Sequence, residues 1–433
     1  MAAASKAEVV RRQAMKHPVL IALLLAAPAA QALTLNEAAQ AALRSDPRIQ
    51  AADADVAAAA GGLDLARAGY RPTLGASADI GRSDFQVDSP FPPSGTRTPN
   101  SAGVQLTQPI YAGGRIDAAY DAAASDADGA GSRQAATRQQ VLLAAVNAYL
   151  SVARDRVVID LNEANLRALS TAGGDTQKRF DAGEATRTDV SQAQARVAGA
   201  QAELAGARAA LRASAASFER VVGAAPEALA ETAAEPALPA TLAEALQQSR
   251  GSPLLREAQA QQRAARAGVA GARAAAMPTL SFDAQASTAD NTDFGYERID
   301  RWSALVKLQV PLYQGGGLRA RVHEAEARET QAGALAADAQ RAVDESVIQS
   351  WEALQAARDR VPAYEAQVQA AEYALDGVRK ELQVGSRTTL DLLDAERELL
   401  AAQVNLANSR RDRTAAAYRL LAACGQLELA AIR

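Results

Sequence analysis

The sequence predicts a mainly α-helical fold with a smaller β part, built twice within one chain and suited to a membrane-anchored tube. Three observations carry this. First, the halves repeat: Pro72-Thr73-Leu74 returns as Pro278-Thr279-Leu280, and Gln108-Pro109-Ile110-Tyr111-Ala112-Gly113-Gly114 as Val310-Pro311-Leu312-Tyr313-Gln314-Gly315-Gly316. The offset is 202 residues from the Gly-Gly pair onward (113 to 315) and about 206 before it (72 to 278). A solenoid would repeat every 20–50 residues or so. Second, apolar residues recur at every seventh position along long stretches of both halves. Third, short runs alternate apolar and polar side chains at period two. Each half therefore reads helix, strand, strand, long helix, turn, helix, with residues 33–225 as the first unit, 226–240 as a Pro-containing linker and 241–433 as the second.

The elements follow in order. Arg11, Arg12 and Lys16 precede the apolar run Val19–Ala27, and Ala30-Gln31-Ala32 offers a small-residue cleavage site. Residues 1–32 thus read as a secretory signal peptide, with Met15 as a possible true start. The run is shorter than the roughly 20 residues a membrane helix needs; a buried helix is the alternative. Thr34-Leu35-Asn36-Glu37 and Thr241-Leu242-Ala243-Glu244 are expected capping boxes. The short helices they open end before Pro47 and Pro253. Ala-rich helices then run to about Gly69 and Ala276, where Pro72 and Pro278 stop them.

Strands are expected over 72–86, 101–112, 279–288 and 301–314. Leu74, Ala76, Ala78 and Ile80 alternate with polar residues, as do Leu280, Phe282, Ala284 and Ala286. The return strands carry Ala102, Val104, Leu106 and Ile110, then Ala304, Val306, Leu308, Val310 and Leu312. Period two over this length means one apolar face. Runs of about 10 such residues mark a transmembrane barrel, and a soluble hairpin pair packed on helices reads the same way. Tyr70, Tyr111, Trp302 and Tyr313 fall near strand ends, where an interfacial aromatic girdle would sit. No later apolar run approaches a membrane helix, so any membrane crossing must use strands.

Long helices complete each half. Val152, Ile159, Leu166, Gly173 and Phe180 step by seven, and so do Leu354, Val361, Val368, Leu375 and Leu382. The descending helices answer with Val190, Val197, Leu204, Leu211 and Phe218, then Leu392, Leu399, Leu406, Arg413 and Leu420. Such sustained heptads call for coiled-coil packing. A helix from Gly114 to Phe180 would measure roughly 100 Å. The descending helix 187–222 covers about half of that, and helix 48–69 can stack end to end with it.

The residue inventory argues against catalysis. Aromatics are only 4% and the net charge is -4, which leaves no basic patch for nucleic acid. Beyond the leader, His323 and Cys424 are the sole histidine and cysteine, too few for a His/Cys zinc site or an intrachain disulfide. Cys424 reads as a buried small residue and His323 as a solvated one. Gly113-Gly114 and Gly315-Gly316-Gly317 lack the Lys-Ser/Thr of a phosphate loop and read as strand-to-helix turns. No catalytic, cofactor or metal site is expected.

Two turns join the helix pairs. In each, Gly183 or Gly385 suits a left-handed helix end, and Thr186 or Ser386 can start the next helix. Asp391 and Asp394 share one face of the following first turn. They either complement the positive helix end or, if several copies surround an axis, form stacked carboxylate rings favouring cations.

With the duplicated Pro-Thr-Leu, the Gln-Pro-Ile-Tyr-Ala-Gly-Gly stretch and the Gly183…Thr188-Asp189-Val190 and Gly385…Leu390-Asp391-Leu392-Leu393-Asp394 turns, the chain resembles the TolC family of outer-membrane efflux and type I secretion channels. The resemblance implies a trimer with one shared twelve-stranded barrel, four strands per chain, continued by a coiled-coil α-helical tunnel through the periplasm. It implies constriction rings at Asp391 and Asp394, and closing links at Arg387, Thr188 and Asp189. It places the adaptor-facing tips at Gly183, Thr186, Arg187, Gly385, Ser386 and Thr388. Partners would be outer-membrane lipid, a periplasmic adaptor and an inner-membrane ABC, RND or similar pump. The family Tyr three before the second glycine is Leu382 here, so its hydroxyl link cannot form. The implied function is a passive exit duct for protein secretion or drug efflux that opens as the inner helix pair (316–425) swings outward. A poreless periplasmic coiled-coil or adaptor protein is the alternative.

Overall fold

The computed structural model describes residues 32–86, 88, 95–230, 235–292 and 297–432. Residues 1–31 of the expected 1–32 signal peptide lie outside the described residues. Thr34 caps α1 (Leu35–Ser45) with the full reciprocal box to Glu37, and Asp46 caps α2 (Pro47–Ala68). Then come β1 (Thr73–Ile80), β2 (Ser83–Phe85), β3 (Gly95–Arg97), β4 (Asn100–Tyr111), α3 (Arg115–Asp181) and α4 (Arg187–Val222). The second half supplies α5 (Leu242–Ser249), α6 (Pro253–Ala274), β5 (Thr279–Asp290), β6 (Arg298–Gln309), α7 (Gly317–Gln383) and α8 (Thr389–Ala423), then a short 3-10 turn at Leu429–Ala431.

Three details differ from the sequence reading. The expected strand 72–86 is two strands, because the chain leaves the main sheet at Gly81 and forms a small β2–β3 hairpin beyond it. The expected strand 301–314 runs from Arg298 to Gln309 instead. Pro311 has no N–H to give a ladder, so Val310, Leu312 and Tyr313 lie past its end. At Thr241 the box is half made: Thr241 accepts from the Glu244 amide, but Glu244 Oε2 takes the Ala240 amide.

The helices form four columns side by side. α3 and α7 are each 67 residues long, roughly 100 Å at 1.5 Å per residue; α7 runs through Pro362 without a break. Beside α3, α2 covers the sheet-proximal half and α4 the distal half. Arg133 pairs with Asp55 of α2 at 3.0 Å and Arg208 of α4 with Glu163 at 2.7 Å. On the other side, α6 and α8 fill the groove between α3 and α7 in the same end-to-end manner. The joints are tight. Gly223 (φ +81°) lies where a Cβ would come 2.8 Å from Ser45 Oγ, and its repeat counterpart Gly425 (φ +73°) where a Cβ would come 2.7 Å from Ser252 Cα.

The main apolar core is a belt around these joints. Leu35, Ala38 and Ala42 of α1 pack on Val141, Val146 and Tyr149 of α3, on Phe218 and Val222 of α4, and on the tail residues Leu427 and Ile432. The Tyr149 hydroxyl donates to the Ala230 carbonyl at 2.7 Å, beside the Leu33 carbonyl at 3.0 Å. Leu33 in turn bridges to Leu229. Small Ala side chains let the helices approach, which is how a chain poor in aromatics still closes its seams. Cys424 is fully buried in a second cluster with Leu354 and Leu420, and burial pushes its thiol up to about 11.

Candidate functional site

At one end, β1, β4, β5 and β6 form a four-stranded antiparallel sheet in the order β1-β4-β5-β6. Its register sorts side chains by face. Leu74 pairs with Leu106, Ala76 with Val104, Ala286 with Trp302, Phe282 with Val306 and Leu280 with Leu308. These rows join across the sheet through Val104–Ala286 and Leu106–Ala284. One face is therefore apolar from edge to edge. The other carries Ser77, Gln105, Thr107, Asp283, Gln285, Arg301, Ser303 and Lys307, since neighbours in a strand point oppositely. On the apolar face Trp302, Val306 and Leu308 are exposed in the chain, as are Leu74 and Ile80, while Leu305 is exposed on the other face opposite Asp283. β1 and β6 leave both edges unpaired. No helix among the described residues is long and apolar enough to cross a membrane.

The four aromatics sort by level. Tyr111 ends β4 opposite Leu280, carried onto the apolar face by a bulge at Pro109–Tyr111. Tyr70 and Tyr313 flank strands at the same helix-proximal end. The Tyr70 hydroxyl donates to Asp117 Oδ1 at 2.6 Å, which pushes its pKa up to about 12. Trp302 is the fifth residue of β6 rather than its end. It sits seven residues from Gln309, about 24 Å along the strand.

At the far end, the two hairpin turns are built alike. Gly183 (φ +81°) and Gly385 (φ +78°) end α3 and α7 in the left-handed region. Glu184 N donates to Arg179 O at 2.7 Å, and Ser386 N to Glu381 O at 2.9 Å. Thr186 caps α4 as expected. The matching cap of α8 is Thr388 and not Ser386, whose hydroxyl turns back to the Glu381 carbonyl at 3.0 Å. Each cap is a reciprocal box. Asp189 Oδ2 accepts the Thr186 amide and hydroxyl, both at 2.8 Å, and Asp391 Oδ2 accepts those of Thr388 at 2.9 and 2.8 Å. The backbone bond, then the hydroxyl bond, hold both carboxyls below the usual carboxylate range.

These bonds distribute the predicted site residues differently from the expectation. Within the chain, Arg387 does not reach Thr188 or Asp189; its Nε donates to Glu381 Oε2 of its own hairpin at 2.8 Å. Arg187 and Thr188 lie exposed in the first turn of α4. Asp391 caps its helix, while Asp394 leaves its own hairpin to pair with Arg196 of α4 at 2.8 Å. Arg196 was invisible in the sequence, because its partner lies 198 residues away. His323 is exposed beside Glu326.

The comparisons with known proteins fit this geometry. The family model described as "Outer membrane efflux protein" matches residues 38–224 and 242–426, one segment per repeat. The chain is 31% identical over 408 residues to the outer membrane efflux protein BepC of Brucella suis, covering 93% of this chain and 88% of that protein. It is 28% identical over 430 residues to the alkaline protease secretion protein AprF of Pseudomonas aeruginosa, covering 94% and 87%. Among solved structures, the outer membrane protein VceC of Vibrio cholerae superposes with a TM-score of 0.78 at 26% identity over 90% of this chain and 96% of that one. A sheet with one apolar face carried on long paired helices, with the family model matched in both repeats, places the chain in the TolC-type outer membrane efflux protein family, whose members are outer-membrane channels and not enzymes.

Proposed function

We propose that three copies of this chain close into one duct through the outer membrane and periplasm, passive in itself and driven by an inner-membrane pump reached through a periplasmic adaptor. The single observation that carries this reading is the sheet. Its apolar face needs lipid, and its two open edges cannot stay unpaired in lipid, where each unsatisfied backbone group costs several kcal/mol. Four strands are too few to close alone, since single-chain barrels start at about eight. Three copies give twelve strands, and their four helical columns give twelve columns beneath. Trp302 and the helix-proximal tyrosines then stand at the two borders of the apolar band. The names of BepC and AprF support efflux or protein secretion as the service performed.

In this duct the Gly183–Arg187 and Gly385–Thr388 turns are the tips offered to the adaptor. Asp391 and Asp394 line the narrow end, and Arg387 helps to hold it shut against Thr188 and Asp189 of a neighbouring copy. Planar-bilayer recording tests the set. Asp391→Ala with Asp394→Ala is expected to lower cation preference; an unchanged reversal potential counts against the rings. Arg387→Ser is expected to raise single-channel conductance, and unaltered conductance removes Arg387 from the closure.

A further inference from the structure

The chain holds its two helical hairpins together with few polar ties. Arg154 Nη1 donates to Asn408 Oδ1 at 3.0 Å and Arg411 Nη2 to Ser151 Oγ at 3.3 Å, both near the belt. Among the described residues, one ion pair joins the α3–α4 hairpin to the α7–α8 hairpin: Arg196 Nη2 to Asp394 Oδ1 at 2.8 Å. It lies within three turns of the tips, beside Leu393 of α8, which buries against Leu169, Ala193 and Ala200 of the first hairpin. Near that end of the second hairpin, Arg387 pairs with Glu381, Arg379 with Glu396 and Lys380 with Asp376, all within the hairpin.

One staple inside the hairpins follows the internal duplication. Arg208–Glu163, which fastens α4 to α3 at 2.7 Å, recurs 202 residues later as Arg410–Glu365, which fastens α8 to α7 at 2.8 Å. The Arg196–Asp394 pair has no such copy. The position 202 after Arg196 is Glu398, and the position 202 before Asp394 is Gln192. Arg379–Glu396, inside the second hairpin, has no copy either, its counterparts being Gln177 and Gln194; what sets Arg196–Asp394 apart is that it joins the two hairpins. An Arg in this place does two things at once. It binds the second hairpin to the first, and it satisfies a carboxylate that would otherwise face the opening.

We infer that Arg196 is a positioning residue of the closed end, latching α8 to α4 and withholding the Asp394 charge from the passage. This rests on the three-copy duct proposed above. An exposed pair shifts an equilibrium by only about 1.4- to 5-fold, so three acting together would hold the end shut by about 3- to 100-fold.

The test uses the full-length protein in planar bilayers under a salt gradient, with the mass of every variant in detergent checked beside it. Arg196→Gln is expected to raise conductance several-fold and to strengthen cation preference, because Asp394 is set free. Asp394→Asn is expected to raise conductance and weaken cation preference. The exchange of Arg196→Asp with Asp394→Arg is expected to bring conductance back toward the parent. Loosened packing alone would move both single variants the same way in selectivity. Wild-type conductance in both, selectivity shifts of the same sign, or no recovery in the exchange overturns the latch while leaving the duct intact. A parent protein that neither conducts nor assembles overturns the duct, and the latch with it.

Discussion

Gly425 and Gly114 share a positive φ but not a setting, and the pair isolates what a single backbone position contributes. At Gly425 a Cβ would sit 2.7 Å from Ser252 Cα, whereas around Gly114 (φ +85°) nothing lies within 4 Å. A left-handed backbone alone costs an L-residue about 1–2 kcal/mol. Gly114→Ala is therefore expected to lose about 1 kcal/mol in urea unfolding of the detergent-extracted protein. Gly425→Ala should lose distinctly more, because α6 and α8 must also part; equal losses would refute the tight joint. The caps at Asp189 and Asp391 give a second test. Their folded carboxyls titrate below the ordinary value of 3.8, so their contribution is complete above that value and fades as pH falls through the lowered one. Protease nicking at residues 181–188 and 383–390 should stay constant from pH 7 to 5 and rise only in stronger acid. A rise already at pH 6 would exclude these carboxylates as the cause.

Among the elements, the periodic ones were legible in the sequence and the aperiodic ones were not. Proline and glycine punctuation placed α2, α4 and α6 within a residue or two, and heptads gave the paired long helices. Arg413 shows the limit of that pattern. It fills the heptad slot that Leu211 holds in the first repeat, yet it is half-buried and turned toward Glu235 of the linker, 3.6 Å away. The β2–β3 hairpin escaped notice because three-residue strands carry too little alternation to register. The end of β6 was overrun because apolar residues keep alternating past Gln309, although Pro311 ends the hydrogen bonding. The sheet also makes a face-specific prediction. Val306→Arg, on the apolar face, is expected to cost about 2–4 kcal/mol of stability in a bilayer. Ser303→Arg, on the polar face of the same strand, should cost little. Equal costs measured by urea titration in liposomes would mean that the apolar face does not meet lipid.

For the whole molecule, sequence and structure divide the work unevenly. The repeat, the heptads and the alternating strands announced a membrane tube, and the tip glycines located its far end. Which side chains meet there was hidden, because contacts such as Arg196–Asp394 join positions 198 apart across a seam that heptads do not describe. The sheet supplies the global constraint: an apolar face with two open edges is complete only when other copies supply strands. The native mass of the detergent-extracted protein tests this most directly. Three chains per particle is the result expected from a shared twelve-stranded barrel, and one chain per particle, stable in detergent and still inserting into lipid, would contradict it.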